Sequence, residues 1–439
     1  MSEIADQDRP DTGSKRNVLV VAYYFPPMGL SGVQRTLKFV KYLPQFGWQP
    51  TVLTVAPTGY FAMDYSLLKE IEPREILIER VGSWDANRLF RRKGVVRMPS
   101  EAWRRAFTLA SDLFFIPDNK IGWKKRAVRA GEELFRRKTF DVIFATAPPF
   151  TDFLIGLALH ERFQKPLVID YRDPWIEYPN KTYPTPLHRL LNTRLEKKVL
   201  HASARVITTN RRVKELILKR HKFLTYQDIT ILPQGFDPED FQQNGTGQVG
   251  VEPGPERKMR ITHTGTLYGD RTPRFFLEAL HRIFSREPAL RGQIEVVFVG
   301  TVHDDFVRLI ASLGLQDCVV TTGYLDHADS VRHLKAADVL WMMVPNDRQS
   351  PGKLYEYFGA HKPIIACVPD GFLRQAVAEA EAGICVEPEN ADALASAILQ
   401  SYRQFKSGRL PVPSPEVISK YNRIELANEL SKIFGFLAE

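Results

Sequence analysis

A chain of 439 residues is more than one hydrophobic core supports and suits two α/β domains, because single cores stop growing near roughly 250 residues. With 44% hydrophobic and 25% charged residues it has the composition of an ordinary soluble globular protein, which excludes disordered and fibrous classes. The formal charge of +9 is lopsided: residues 1–240 hold 39 Lys and Arg against 27 Asp and Glu, leaving 21 against 24, so a surface for anionic lipid, nucleic acid or a phosphorylated substrate belongs to the first half.

Residues 1–16 are polar and carry acids, without the apolar region of a secretory leader, and are expected to form a flexible tail. From Asn17, NVLVVAYY reads as a buried strand, SGVQRTLKFVKYL places Val33, Leu37 and Val40 on one helical face, and TVLTV returns to strand, which makes a βαβ unit. Residues 84–115 interrupt the alternation with seven Lys and Arg among Phe90, Trp103 and Phe107. They suit either a membrane interface or a solvated helical insert. DVIFAT, PLVIDY, ARVITT and ITILP continue the strand pattern. The longest apolar stretch, DVIFATAPPFTDFLIGLAL, is broken by two prolines and Asp152, so no membrane span is expected.

The Gly- and Pro-rich stretch 237–258 reads as a linker between a first domain, 17–236, and a second, 259–412. RITHTG, IEVVFVG, CVVTT, DVLWMMV, PIIACV and GICVE are the second domain's strands, and residues 413–439 are expected to form a helical segment packing back toward the first domain. The fold class is α/β, two Rossmann-like doubly wound parallel sheets with ligands expected in the cleft beyond their strand ends. Cys318, Cys367 and Cys385 show no metal or disulfide spacing, and no H-x-x-x-H, H-E-x-x-H or D-x-D motif occurs. No metal is expected, and a reducing, cytoplasmic setting fits.

A cleft between two domains suits the joining of a nucleotide-activated donor to an acceptor, which demands groups that stabilise a departing diphosphate. PPMGLSGVQR offers Gly29 and Gly32 ahead of the first helix, in a loop that an ordinary strand-to-helix turn also explains. THTGTLYGDRTPRFF supplies Gly265, Thr266, Arg271 and Arg274, the arginines being able to hold a diphosphate through paired donors or to serve as solvated turn residues. SPGKLYEYFGAHKPI carries Ser350, Lys353 and Glu356. A carboxylate so near a helix start can accept two ribose hydroxyls or simply complement the helix dipole. In PLVIDYRDPW, Asp170 and Asp173 flank Arg172, one as an acceptor-side base and the other as the arginine's partner, or both in a structural ion pair. Thr146 and Thr151 line the same side, and His263 reads as a core residue.

Taken together, these residues resemble glycosyltransferase family 4, with its GT-B fold. The opening resembles the family's strand, Gly-rich loop and helix, ILPQGFD its N-G-x-D turn, and SPGKLYEYFGAHKPI its E-x7-E donor region. The resemblance implies that Glu356 binds the donor ribose, that Arg271 grips the diphosphate, that Gly29 and Gly32 approach phosphate and acceptor, and that Asp173 lies near the acceptor hydroxyl. Three positions depart from the pattern: Arg348 stands at the first glutamate, Thr266 at a diphosphate-binding arginine and Gln234 at the asparagine of N-G-x-D.

The expected function is that of a retaining, metal-independent glycosyltransferase, with Asp173, Arg271 and Lys353 at the reaction. Its donor is a UDP- or GDP-sugar, its acceptor a glycan or lipid-linked glycan of envelope or exopolysaccharide synthesis, and its place the inner membrane face, held peripherally through residues 84–115. The rivals are a nucleotide-sugar epimerase of the same fold and, in another class, a basic nucleic-acid-binding protein. The second lacks any recognised nucleic-acid motif.

Overall fold

The structure is a computed structural model that describes residues 15–29, 31–57, 63–84, 109, 111–178, 181–242, 257–346 and 352–439. Among these residues seven parallel strands form the first sheet: β1 (Arg16–Val21), β2 (Trp48–Val55), β3 (Leu77–Val81), β4 (Val142–Ala147), β5 (Leu167–Tyr171), β6 (Arg205–Thr208) and β7 (Ile229–Ile231). Their order is β3-β2-β1-β4-β5-β6-β7. The second sheet has six among the described residues: β8 (Met259–Thr264), β9 (Ile294–Val299), β10 (Val319–Gly323), β11 (Val339–Met343), β12 (Ile364–Cys367) and β13 (Gly383–Val386), in the order β10-β9-β8-β11-β12-β13. Strand order reverses at β1/β4 in one sheet and β8/β11 in the other, the places where doubly wound sheets open a crevice.

Helices cover both faces of each sheet, so the strands lack the alternation of half-exposed ones. In β11, Trp341 and Met343 enter one core with Phe276, Phe298 and Ile398, while Leu340 and Met342 enter another with Leu354, Phe358 and Val377. The strand not anticipated is β3, a sheet edge whose residues are exposed or half-buried and which carries Glu79 and Arg80.

The last helix, Arg423–Ala438, lies on the first sheet's core rather than the second's. It contributes Leu426, Ala427, Leu430 and Phe434 there, with the Phe434 ring edge-on to Trp48 and Phe144 at centroid distances of 5.2 and 5.6 Å. Burying one such ring is worth about 1.5–3 kcal/mol.

The chain passes between the sheets twice, side by side. The Phe236 amide donates to the Tyr421 carbonyl at 2.9 Å and the Arg423 amide to the Phe236 carbonyl at 2.9 Å. Gly235 permits this crossing, since a Cβ there would lie 2.3 Å from the Tyr421 oxygen. Asp237 then locks the junction, accepting from Tyr42 Oη at 2.5 Å, Lys41 Nζ at 2.7 Å and Lys38 Nζ at 2.6 Å. The Q-G-F-D turn is in this chain a hinge fastening.

Candidate functional site

The first domain's side of the crevice is built on the ends of β1, β4 and β5. Asp170, at the end of β5, does not pair with Arg172. Arg35 of the first helix (Ser31–Tyr42) reaches it in a buried two-pronged contact, Nη2 to Oδ1 at 2.9 Å and Nε to Oδ2 at 3.0 Å, and donates onward to the Leu232 and Pro233 carbonyls. Thr146 donates to the same carboxylate at 2.9 Å, and Thr151 donates to Asp118 at 2.8 Å. These contacts make Asp170 a structural anion whose partner is Arg35 instead of Arg172, and they engage the Thr146 and Thr151 hydroxyls within the protein.

Arg172 gives its guanidinium to backbone carbonyls, those of Gly32, Pro148 and Ala147, and so staples the glycine loop to the loop after β4. Gly29 is buried and Gly32 exposed. A Cβ on Gly32 would meet Arg172 Nη1 at 3.5 Å, an ordinary contact, so its described surroundings do not demand glycine. Asp173 stands half-buried beyond this staple. Burial pushes its carboxyl above the ordinary value, while Arg172 and, from the second domain, Arg271 pull it back. Asp173 and Arg271 therefore share the crevice's electrostatics.

On the second side, Gly265 ends β8 with φ +128°, a conformation L-residues rarely adopt. A Cβ there would lie 1.7 Å from Lys353 Nζ, so the lysine head rests on bare backbone. Gly300 repeats the device beneath it, where a Cβ would be 2.4 Å from the Gly265 oxygen. Thr266 follows on this ledge, half-buried.

Lys353 comes from the helix Gly352–Gly359, which buries Leu354, Tyr355, Tyr357 and Phe358 and leaves Lys353 and Glu356 partly open on one face at i, i+3 spacing. Tyr357 fixes that helix to both central strands: its hydroxyl accepts from the Thr264 amide at 3.0 Å and donates to the Trp341 carbonyl at 3.1 Å. Sequence reading missed this residue because it looks like another core aromatic. Burial brings the Lys353 amine down to about 7, Arg271 adding to the fall and Glu356 opposing it. Glu356 also bears on His327 and Arg423, so it links the ledge to the hinge. His263, below the ledge, directs Nδ1 to the Trp341 carbonyl at 3.0 Å, and its buried Nε2 has no partner among the described residues. Burial first, then Lys353 and Arg271, hold that imidazole neutral.

One expected site residue stands apart. Arg274 is exposed and pairs with Glu278 one turn on at 2.8 Å, as an ordinary helix-surface ion pair. Ser350 lies outside the described residues, as does Arg348.

At the hinge, carboxylate oxygens of Glu70, Asp237 and Asp240 come within 4.8 Å of one another. The positive charge they call for is supplied by Lys38 and Lys41. His327 closes the junction from the second domain, with Nε2 2.8 Å from Asp240 and its amide donating to Asp64 at 3.1 Å. No helix among the described residues is long and apolar enough to cross a membrane.

Comparison with known proteins agrees with this architecture. Among solved structures, a glycosyltransferase from Rickettsia africae ESF-5 superposes with TM-score 0.65 at 15% identity, over 97% of this chain and 99% of that one. Anabaena Alr3699/HepE in complex with UDP and glucose does so at 0.62 and 14%, over 96% and 99%. Sucrose-phosphate synthase from Thermosynechococcus elongatus does so at 0.63 and 16%, over 96% and 99%. At such identities the likeness is one of fold. No curated protein matches the sequence. Family models do: "Glycosyltransferase Family 4" over residues 31–240 and "Glycosyl transferases group 1" over 258–404. With one model on each sheet and GT-B structures matching end to end, the chain belongs to the group 1, family 4 glycosyltransferases and is a glycosyltransferase enzyme.

Proposed function

We propose that the enzyme transfers a sugar from a UDP- or GDP-sugar to a glycan or lipid-linked glycan acceptor with retention of configuration, in the synthesis of cell-envelope or exported polysaccharide. The observation that carries the reading is the seat of Lys353 on the Gly265 ledge, with Arg271 beside it and Glu356 one turn further along the helix. A diphosphate set on that ledge meets two cations and backbone free of side chains, and Glu356 is placed to accept ribose hydroxyls. HepE, solved with UDP and glucose, shares the fold and supports this choice of donor.

In the reaction the bond from the anomeric carbon to the β-phosphate oxygen breaks and a bond to the acceptor oxygen forms. The acceptor's proton passes to the departing diphosphate. Arg271 and Lys353 stabilise the charge that develops there, and Asp173, across the crevice, orients the acceptor hydroxyl. None of these steps calls on a metal ion.

A cytoplasmic site at the inner membrane face fits a lipid-linked acceptor. Leu109, Leu113 and Phe114 are exposed at the end of the basic 84–115 stretch, and the Leu113 carbonyl bonds His188, on the helix where Leu187 and Leu190 are exposed too. Flotation with anionic vesicles tests that placement: protein left at the bottom of a low-salt gradient counts against it.

The donor reading is tested by measuring melting temperature against a panel of nucleotide sugars, followed by transfer assays with the stabilising donor. Stabilisation by a UDP- or GDP-sugar is expected, and none from any member would overturn it. Isomerisation of the sugar without acceptor would show an epimerase instead. DNA or RNA binding that outcompetes nucleotide sugars would move the protein out of enzymes that use them.

A further inference from the structure

Beyond the carboxyl ends of β6, β11 and β12 lies a narrow recess of about 330 Å³, its open mouth included. Its walls come from both domains. Asn210 and Arg212 stand at the start of the helix Arg211–Arg220, which follows β6, while Asn346 follows β11 and Asp370, Gly371 and Phe372 lead from β12 into the helix Phe372–Glu379. Hydrogen bonds tie this recess to the Asp173 loop: Thr209 Oγ1 donates to the Arg172 carbonyl at 3.1 Å and accepts from Asn210 Nδ2 at 3.4 Å. Asn210 Oδ1 caps its helix, accepting from the Val213 amide at 2.9 Å, which fixes the amide's orientation. Nδ2 carries two hydrogens and uses one on Thr209, so the other remains for the recess that the residue lines.

Phe372 presents to the recess a ring that is 36% exposed. Arg212 is exposed on the first domain's lip, and on the second domain's lip so is Asp370, whose Oδ1 accepts from the Gly371 amide at 3.0 Å. The neighbouring cations are engaged elsewhere, Arg211 with Glu215 and Arg374 with Glu387. Among the described residues the lining therefore holds one cation and one anion, a balance that favours no net charge on a ligand. A sugar ring answers such a surface. Its C–H face lies on an aromatic ring, and its neighbouring hydroxyls pair with a carboxylate, a guanidinium and amides. The volume, at the lower end of the roughly 300–1,000 Å³ of small-molecule sites, suits one ring rather than an oligosaccharide. We propose that this recess seats one uncharged sugar ring of the acceptor glycan, stacked on Phe372 and held by Arg212 and Asp370, close to the Asp173 loop. Both domains build the seat, so an acceptor bound there bridges the crevice. The inference deepens the acceptor half of the proposed function and rests on it.

Saturation-transfer NMR on the full chain tests it, with the methyl glycosides of glucose, galactose, mannose and N-acetylglucosamine as probes, that of glucuronic acid as a charged control, and UDP or GDP present or absent. At least one uncharged glycoside is expected to receive saturation at its ring protons. Phe372→Ala is expected to weaken its binding about five- to tenfold and Phe372→Trp to restore it. Arg212→Gln, a change at an exposed side chain, gives a second reading and is expected to weaken binding as well. Circular dichroism and the melting-temperature shift given by the nucleotide sugar check that the variants fold and keep the donor side. No saturation of any uncharged glycoside overturns the sugar seat and leaves the donor reading intact. Binding that persists undiminished in Phe372→Ala and Arg212→Gln places the sugar elsewhere and overturns the assignment to this recess. A glucuronide that binds tighter than every uncharged glycoside overturns the uncharged class. Glycoside binding that falls in both variants, in a protein that no nucleotide sugar stabilises, keeps the recess and overturns the donor reading.

Discussion

The two walls of the crevice handle buried charge in opposite ways. In the first domain Arg35 is answered by Asp170, and Lys38 and Lys41 by Asp237, Asp240 and Glu70; these cations hold the fold together. In the second, Lys353 and Arg271 oppose one another on a ledge stripped of side chains, with Glu356 as the anion that offsets Lys353. The difference teaches where to look for ligand: a satisfied ion pair is architecture, and a lysine head laid on bare backbone is a place where an anion can approach.

That contrast breaks most visibly at Asp170. Asp170→Ala leaves the Arg35 guanidinium buried without its carboxylate and is expected to cost about 3–5 kcal/mol, read as a fall in the urea midpoint. Next comes Arg271→Ala, expected to lower kcat by about 100- to 1000-fold with little change in melting temperature, which separates ligand chemistry from architecture. An equal loss of stability in the two variants would erase the distinction drawn here.

Smaller effects sharpen it. Lys353→Met is expected to reduce transfer yet raise stability by about 1 kcal/mol, because it removes a charge that burial disfavours. The sign follows from linkage. With a folded value near 7 against an ordinary 10.5, the unfolded chain binds more protons between those limits, so the wild type gains stability as pH rises through that window. The gain from Met is therefore largest below about pH 7 and shrinks above it. His327 runs the other way. Burial alone would lower its value, but Asp240 raises it above the ordinary 6.5. Its contribution is fully present below 6.5 and is lost as pH rises through the raised folded value. His327→Gln should accordingly cost on the order of 1 kcal/mol in acid and little in alkali, measured as melting-temperature differences across pH.

Much of this was legible in the chain. Strands buried on both faces announce themselves as near-continuous apolar runs, whereas β3, a half-exposed edge, carries charges and does not. The helix that carries Lys353 and Glu356 was legible because a proline-glycine turn follows a buried strand. The partner of Asp170 was hidden for a physical reason: its arginine lies 135 residues away on another element, while Arg172, two residues off, turns its guanidinium to carbonyls. The hold of Tyr357 on both central strands of the second sheet was likewise invisible, since spacing does not distinguish an anchoring hydroxyl from a packed ring.

The seating of the final helix on the opening sheet has a consequence for biogenesis. Leu426, Leu430 and Phe434 join a core with Trp48 and Phe144 that stays open until the helix Arg423–Ala438 has been synthesised. The sheet synthesised first is thus completed only after the second sheet has been made, and the nascent chain must shield that greasy furrow throughout the interval.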